Sequence, residues 1–195
     1  MKNIFSINLL ILILTISCGE KNQVAQLTEN QKIEMRDAAS KFMGGLKIIL
    51  INQIKSEGVL SAVAVCSDTA QVLTNEFGLM KGVYIKRVSF KNRNINNVPD
   101  GFEAKVLKKF EQTKSEGKLS TDSEHIEITK ENDHQYLRYM KPIVIGAACL
   151  NCHGNEEKIS AEVKELIAKR YPDDKAVDYK NGDLRGAVSI KKLIN

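Results

Sequence analysis

Cys149, Cys152 and His153 stand as C-x-x-C-H in the run Cys149-Leu150-Asn151-Cys152-His153, with Gly154 next. That spacing is the attachment signature of c-type haem. Each thiol can add to one vinyl group of the haem, and the histidine that follows directly is carried under the ring as an axial ligand of the iron. Two other chemistries use such a pair of thiols. A structural zinc site needs further Cys or His ligands at suitable spacing, and no second C-x-x-C exists in the chain. A thiol–disulfide pair belongs near a βαβ pattern with its first cysteine at a helix start, whereas Ala147-Ala148-Cys149 leads out of the apolar run Pro142 to Ile145. The motif therefore reads as the attachment of one covalent haem c, with Cys149 and Cys152 holding the ring and His153 on the iron. The alternative is a thiol–disulfide oxidoreductase that uses Cys149 and Cys152 without haem.

Haem c is assembled on the export side of bacterial membranes, so the motif calls for an exported chain. Lys2 precedes an apolar stretch from Ile4 to Ile16, the n-region and h-region of a secretory signal. The stretch is short of the about 20 residues of a membrane span. It ends in Leu14-Thr15-Ile16-Ser17-Cys18-Gly19, which resembles a lipobox. We therefore expect a lipoprotein-type signal over 1–17, lipidation of Cys18, a polar tether over 18–30 and a folded region over 31–195, held on the periplasmic side of a bacterial membrane. Of the four cysteines, this assignment leaves Cys66 over, with no free partner for a disulfide. The formal charge of +5 comes without a basic-aromatic stripe, so nucleic acid is not indicated; it suits an acidic protein partner or a membrane surface.

The elements that must position these residues follow from periodicity. Gln31 to Ile54 reads as a long amphipathic helix interrupted at Gly44-Gly45, and Ser61 to Phe77 as a second helix that turns Cys66 inward and stops at Gly78. A strand is expected over Val83 to Phe90, a loop over Lys91 to Gly101 and a charged helix over Phe102 to Thr113. Strands over Ile126 to Lys130 and Tyr136 to Ile145 follow, with Pro142 marking an edge or a bulge. A helix over Ile159 to Tyr171 and a short strand over Ala187 to Ile190 complete the order. Helices first, then mostly strands, predict an α+β fold: an antiparallel sheet with long N-terminal helices packed on it.

The second axial position stays open on these grounds alone. Cys66, Met35, Met43, Met80, Met140, His125, His134 or no ligand would each serve, and Cys66 is the one without another task. Arg87, Lys91, Arg93 and Arg185 are candidates for pairing with haem propionates, since guanidinium forks suit carboxylates; ordinary surface charge is the plain alternative.

From about Gln31 onward the chain resembles the single-haem c-type family with a PAS-like fold, found in bacterial secreted, membrane-anchored and sensor proteins. The segments that carry the resemblance are Ala64-Val65-Cys66, Arg87 to Asn94, Pro99 to Glu103, Tyr139 to Ile143, Cys149 to Gly154 and Gly182 to Ala187. It implies a PAS-like arrangement of the sheet and a cysteine opposite the motif histidine, the place matched by Cys66. Thiolate donation would stabilise ferric iron and lower the reduction potential. A low-potential iron with both axial positions filled implies a redox or small-ligand sensor, or an electron carrier, rather than an enzyme. Its output would leave through a redox or signalling protein partner, and the polar face and glycine break of the Gln31 to Ile54 helix permit packing on the domain or on a second copy of the chain.

Overall fold

The computed structural model describes residues 26–68 and 70–194. The expected signal segment, Cys18 and the tether as far as residue 25 lie outside the described residues.

Helix α1 (Glu29–Asp68) runs for 40 residues, but it is not one rod. Gly58 stands at φ 86°, ψ 176°, a region held freely by glycine alone, and there the chain turns back. Gln53 Nε2 donates to Ser61 Oγ at 2.6 Å, although eight residues of straight helix would span about 12 Å. Past Asp68 the return limb leads to α2 (Ala70–Lys81), and the rings of Phe42 and Phe77 meet at 5.5 Å between centroids. The result is a helical hairpin. An 18-residue stretch within Glu29–Ser67 has a mean hydropathy of 1.4, enough for a membrane span by length and composition; Met35, Ala38 and Phe42 of α1 lie over the sheet and Leu46, Leu50 and Ile54 along a cavity. The expected break at Gly44-Gly45 is not there, and the helix runs through both. Each glycine costs about 1 kcal/mol in a helix interior, and packing of the adjacent Phe42 and Leu46 against the sheet core offsets it. Nor does Gly78 end α2. It sits inside the helix, where a Cβ would fall 2.8 Å from the Val83 carbonyl oxygen, so its missing side chain lets the next turn close.

Among the described residues the strands are β1 (Tyr84–Val88), β2 (His125–Glu131), β3 (His134–Val144) and β4 (Leu184–Leu193). They form one antiparallel sheet in the order β1-β4-β3-β2, which bears out the α+β, PAS-like expectation with long N-terminal helices on the sheet. Strand β4 is longer than expected because it lies between β1 and β3 and is paired along both edges. Gly186 within it has φ 152°, and a Cβ there would meet the Val88 carbonyl oxygen at 2.1 Å. Pro142 pairs with Ala187, beyond the end of β2, and the register slips one residue later at Ile143/Val144. The proline therefore sits where β3 has a neighbour on one side only, as its missing donor requires.

Alternation sends Ile85, Leu137, Tyr139, Val188 and Ile190 to one face, where Met35, Ala38, Ala39 and Phe42 of α1 cover them. Met140, Val88 and Ala187 face the other way onto α3 (Gly101–Ser115) through Val106, Leu107 and Phe110. Asp100 caps α3 by accepting from the Glu103 N–H, and Glu103 returns a bond to the Asp100 N–H, a capping box. The return limb of the hairpin is held by α5 (Ala161–Arg170), with Val63 packed among Ile159, Val163 and Ile167.

The two kinds of glycine predict opposite responses. Gly58→Ala should destabilise the protein by about 1–3 kcal/mol, the cost of a side chain in this backbone region. Gly44→Ala, in open helix, should stabilise it by about 1 kcal/mol. Urea denaturation measures both, and equal effects would contradict a turn at Gly58.

Candidate functional site

The cavity that gathers the chemistry lies beyond the end of the α1–sheet core, between the distal half of the hairpin and the segment that follows β3. Its volume is about 520 Å³, within the range of about 300–1,000 Å³ usual for cofactor and ligand sites. Cys66, Arg87, Arg93, Cys149, Cys152 and His153 all line it. Six residues from four separate stretches of sequence thus reach one chamber. The rest of the wall is largely aliphatic, from Leu46, Ile49, Leu50 and Ile54 on the outgoing limb and Ile143 and Ile145 at the end of β3.

The C-x-x-C-H segment begins in a short turn (Ala147–Cys149) and continues as the single-turn helix α4 (Leu150–His153). Cys149 therefore does stand at a helix start, contrary to the expectation from the apolar run before it, because Gly146 breaks away from the strand. Gly154 ends the turn, where a Cβ would collide with the Leu150 carbonyl oxygen at 2.6 Å. His153 is tied down through its ring. Nδ1 lies 2.7 Å from the Ala176 carbonyl oxygen, and since a carbonyl only accepts, Nδ1 carries the proton. Burial, reinforced by Arg93 and Arg185, holds the imidazole pKa well below its ordinary value. The ring is therefore neutral, with the lone pair on Nε2, the form in which imidazole binds a metal.

Ala176 belongs to the loop after α5, which is fastened to the motif along its length. Tyr179 N–H donates to the His153 carbonyl at 2.9 Å and Asp178 N–H to the Gly154 carbonyl at 2.8 Å. Tyr179 also meets the His153 ring edge-on at 6.3 Å. Arg93 joins the same loop from the other side. Its Nε donates to Asp174 at 3.0 Å, and its Nη2 donates to the carbonyls of Cys152 at 2.5 Å and Ala176 at 3.3 Å. Arg93 was expected to face a propionate; most of its fork is instead spent on the backbone around the motif. Lys91 is similarly engaged, donating to the Val177 carbonyl and lying 4.5 Å over the Tyr179 ring. Arg185 donates to the Lys91 carbonyl at 2.9 Å.

Arg87 differs. It is half-buried on the cavity wall, and no carboxylate pairs with it among the described residues. Burial lowers its pKa, and the nearby Cys66 and Tyr171 favour its charge. An unpaired guanidinium in a cavity suits an anionic group such as a carboxylate. Cys66, on the return limb of the hairpin, is a free cysteine like Cys149 and Cys152. Burial raises its thiol pKa, while Arg87 and Arg93 pull it back.

The other residues considered for the second axial place divide cleanly. Met35 and Met140 are fully buried in the core, and Met80 is 73% exposed. His125 bonds Glu127 at 3.1 Å on β2, and neither it nor His134 lines the cavity. Met43 does line it, so Cys66 and Met43 are the candidates left. Neither Tyr139 nor Met140 reaches the cavity; Ile143 and Val144 at the end of β3 do. The residue that sequence reading missed altogether is Ala176, which acts through its backbone and leaves no side-chain signal.

The residues fit a haem on this structure's own terms: two cavity thiols, a neutral imidazole with a free Nε2, an apolar wall and an unpaired cation. Among solved structures, the crystal structure of the cyanobacterial heme-protein Tll0287 is similar, with a TM-score of 0.65 and 22% identity, over 87% of this chain and 98% of that one. A likeness at that identity carries the fold. No curated protein matches. Residues 19–192 match the model of the Tll0287-like family, and this chain belongs to the Tll0287-like family.

Proposed function

We propose that this chain is an exported mono-haem c protein that works as a redox or small-ligand sensor, or as a low-potential electron carrier, without catalysis of its own. The observation that supports this best is the convergence of Cys149, Cys152, His153 and Cys66 on one cavity. The family includes a cyanobacterial protein described as a heme-protein. When bound, the haem would supply a reversible one-electron change at its iron.

The chain's own residues supply the rest. Cys149 and Cys152 would hold the ring by thioether bonds, and His153 would offer Nε2 to the iron. Cys66, on the hairpin, would be the second ligand, where bonding to iron would overcome the burial that otherwise keeps its thiol protonated. Arg87 stabilises the same thiolate and offers a partner to a propionate. Anionic sulfur on the iron would favour the ferric state and so a low potential, and with His153 and Cys66 both engaged no position would stay open to a substrate; a small ligand would enter by displacing Cys66. The aliphatic wall from the hairpin keeps water from the ring. Lipidation of Cys18 would hold the protein at a membrane surface on the periplasmic side, within reach of a redox or signalling protein.

Thiol–disulfide exchange is the second reading, and Cys149 at a helix start favours it. Against it, the pair shares a largely aliphatic cavity with His153, Cys66 and Arg87, an assembly that thiol exchange does not call for.

Two measurements separate these readings. Optical and EPR spectra of the ferric protein should show low-spin thiolate ligation that is lost in Cys66→Ala, with a rise in midpoint potential, and kept in Met43→Ala. Low-spin signals without thiolate character, lost in Met43→Ala alone, would make Met43 the ligand. Protein made with haem c attachment machinery should carry a Soret band and leave Cys149 and Cys152 closed to alkylation. A colourless protein whose Cys149–Cys152 disulfide forms and reduces reversibly would instead match an exchange protein.

A further inference from the structure

The Ala176 carbonyl oxygen takes two donors. His153 Nδ1–H approaches at 2.7 Å and Arg93 Nη2 at 3.3 Å. A carbonyl has two lone pairs and can serve both, but a cationic donor draws density from the oxygen and weakens it as an acceptor for the other. The guanidinium is not free to leave. Asp174 holds Nε at 3.0 Å and the Cys152 carbonyl holds Nη2 at 2.5 Å, and the side chains of Arg93 and Asp174 are only 13% and 9% exposed. Buried ion pairs with several hydrogen bonds of this kind are held in one geometry.

We propose that Arg93 is a positioning residue that sets the electron donation of His153 through the shared Ala176 carbonyl. The inference rests on the haem reading above and deepens it. A strong acceptor on Nδ1–H gives the imidazole anionic character and makes it a better donor to iron; outer partners of this type tune ligand basicity. By occupying the same oxygen, Arg93 limits that effect and holds the potential higher than an unshared carbonyl would. Its charge, close to the ring, acts in the same direction by disfavouring ferric iron. The planar fork is essential, because it spans Asp174, Cys152 and Ala176 at once; an ammonium is a point charge that spans no such set.

This distinguishes the shared bond from charge alone. In Arg93→Lys the charge is kept and the fork is lost. The loop itself stays anchored by Lys175 N–H to the Asn92 carbonyl at 3.1 Å, by Asp178 N–H to Gly154 and by Tyr179 N–H to His153, so the His153 bond to Ala176 survives and strengthens.

The test is redox titration of wild type, Arg93→Lys and Arg93→Gln, each carrying haem. Both variants should have a lower potential than wild type, with Arg93→Gln the lowest. A roughly tenfold change in the ferric-to-ferrous equilibrium corresponds to about 59 mV for one electron, and Arg93→Gln should reach that scale. An Arg93→Lys potential equal to or above that of wild type would overturn the proposal, since charge alone would then account for any change in Arg93→Gln. An unchanged Arg93→Gln would overturn it as well. Failure of the haem reading is separate and visible beforehand, as wild-type protein without a Soret band.

Discussion

The hydrogen bond from His153 to the Ala176 carbonyl is the constraint on which the site depends. It fixes the tautomer and leaves the free lone pair on Nε2 of a ring that lines the cavity. A one-turn helix cannot impose that geometry on its own, since so short a helix is marginal without tertiary support. The support comes from the loop after α5, bonded to the backbone of His153 and Gly154 and latched by Arg93 to Asp174. The motif supplies the chemical groups; the loop after α5 gives them direction.

The opposite wall depends on a backbone event. A continuous 40-residue helix would carry Cys66 well away from the sheet, whereas the reversal at Gly58 returns it over the C-x-x-C-H segment. Packing of Val63 against α5 then holds the return limb. Both walls therefore converge on α5 and the loop behind it: the helix packs under Cys66, and the loop anchors His153. Movement of that region would shift His153 and Cys66 together on the cavity wall.

Much of this was legible in the sequence. Alternation in β2 and β3 and helical spacing in α1 and α3 were strong enough to give the fold class, and C-x-x-C-H marked three of the site residues outright. Cys66 and Arg87 were legible as candidates, Cys66 because no other role used it. The misreadings share a cause. Gly44, Gly45 and Gly78 read as breaks from the sequence, yet in each case packing of neighbours or a close backbone approach decides the outcome, and glycine spacing carries no trace of either. Nothing in the sequence marks Gly58 as the turn of a hairpin. Arg93 looked like a ligand contact because its charge is visible in sequence, while the carbonyls that engage it are not. Ala176 could not be found at all, since its contribution is a backbone oxygen.

The account stands or falls on covalent haem at Cys149 and Cys152. The most direct measurement is the intact mass of the mature protein, made with haem c attachment machinery, together with its colour after acid–acetone extraction, for wild type and for Cys149→Ser/Cys152→Ser. Wild type should gain the mass of one haem and keep its Soret absorption through extraction, and the double variant should gain nothing. A wild-type chain at its bare polypeptide mass, or a haem that extraction removes, would contradict the account.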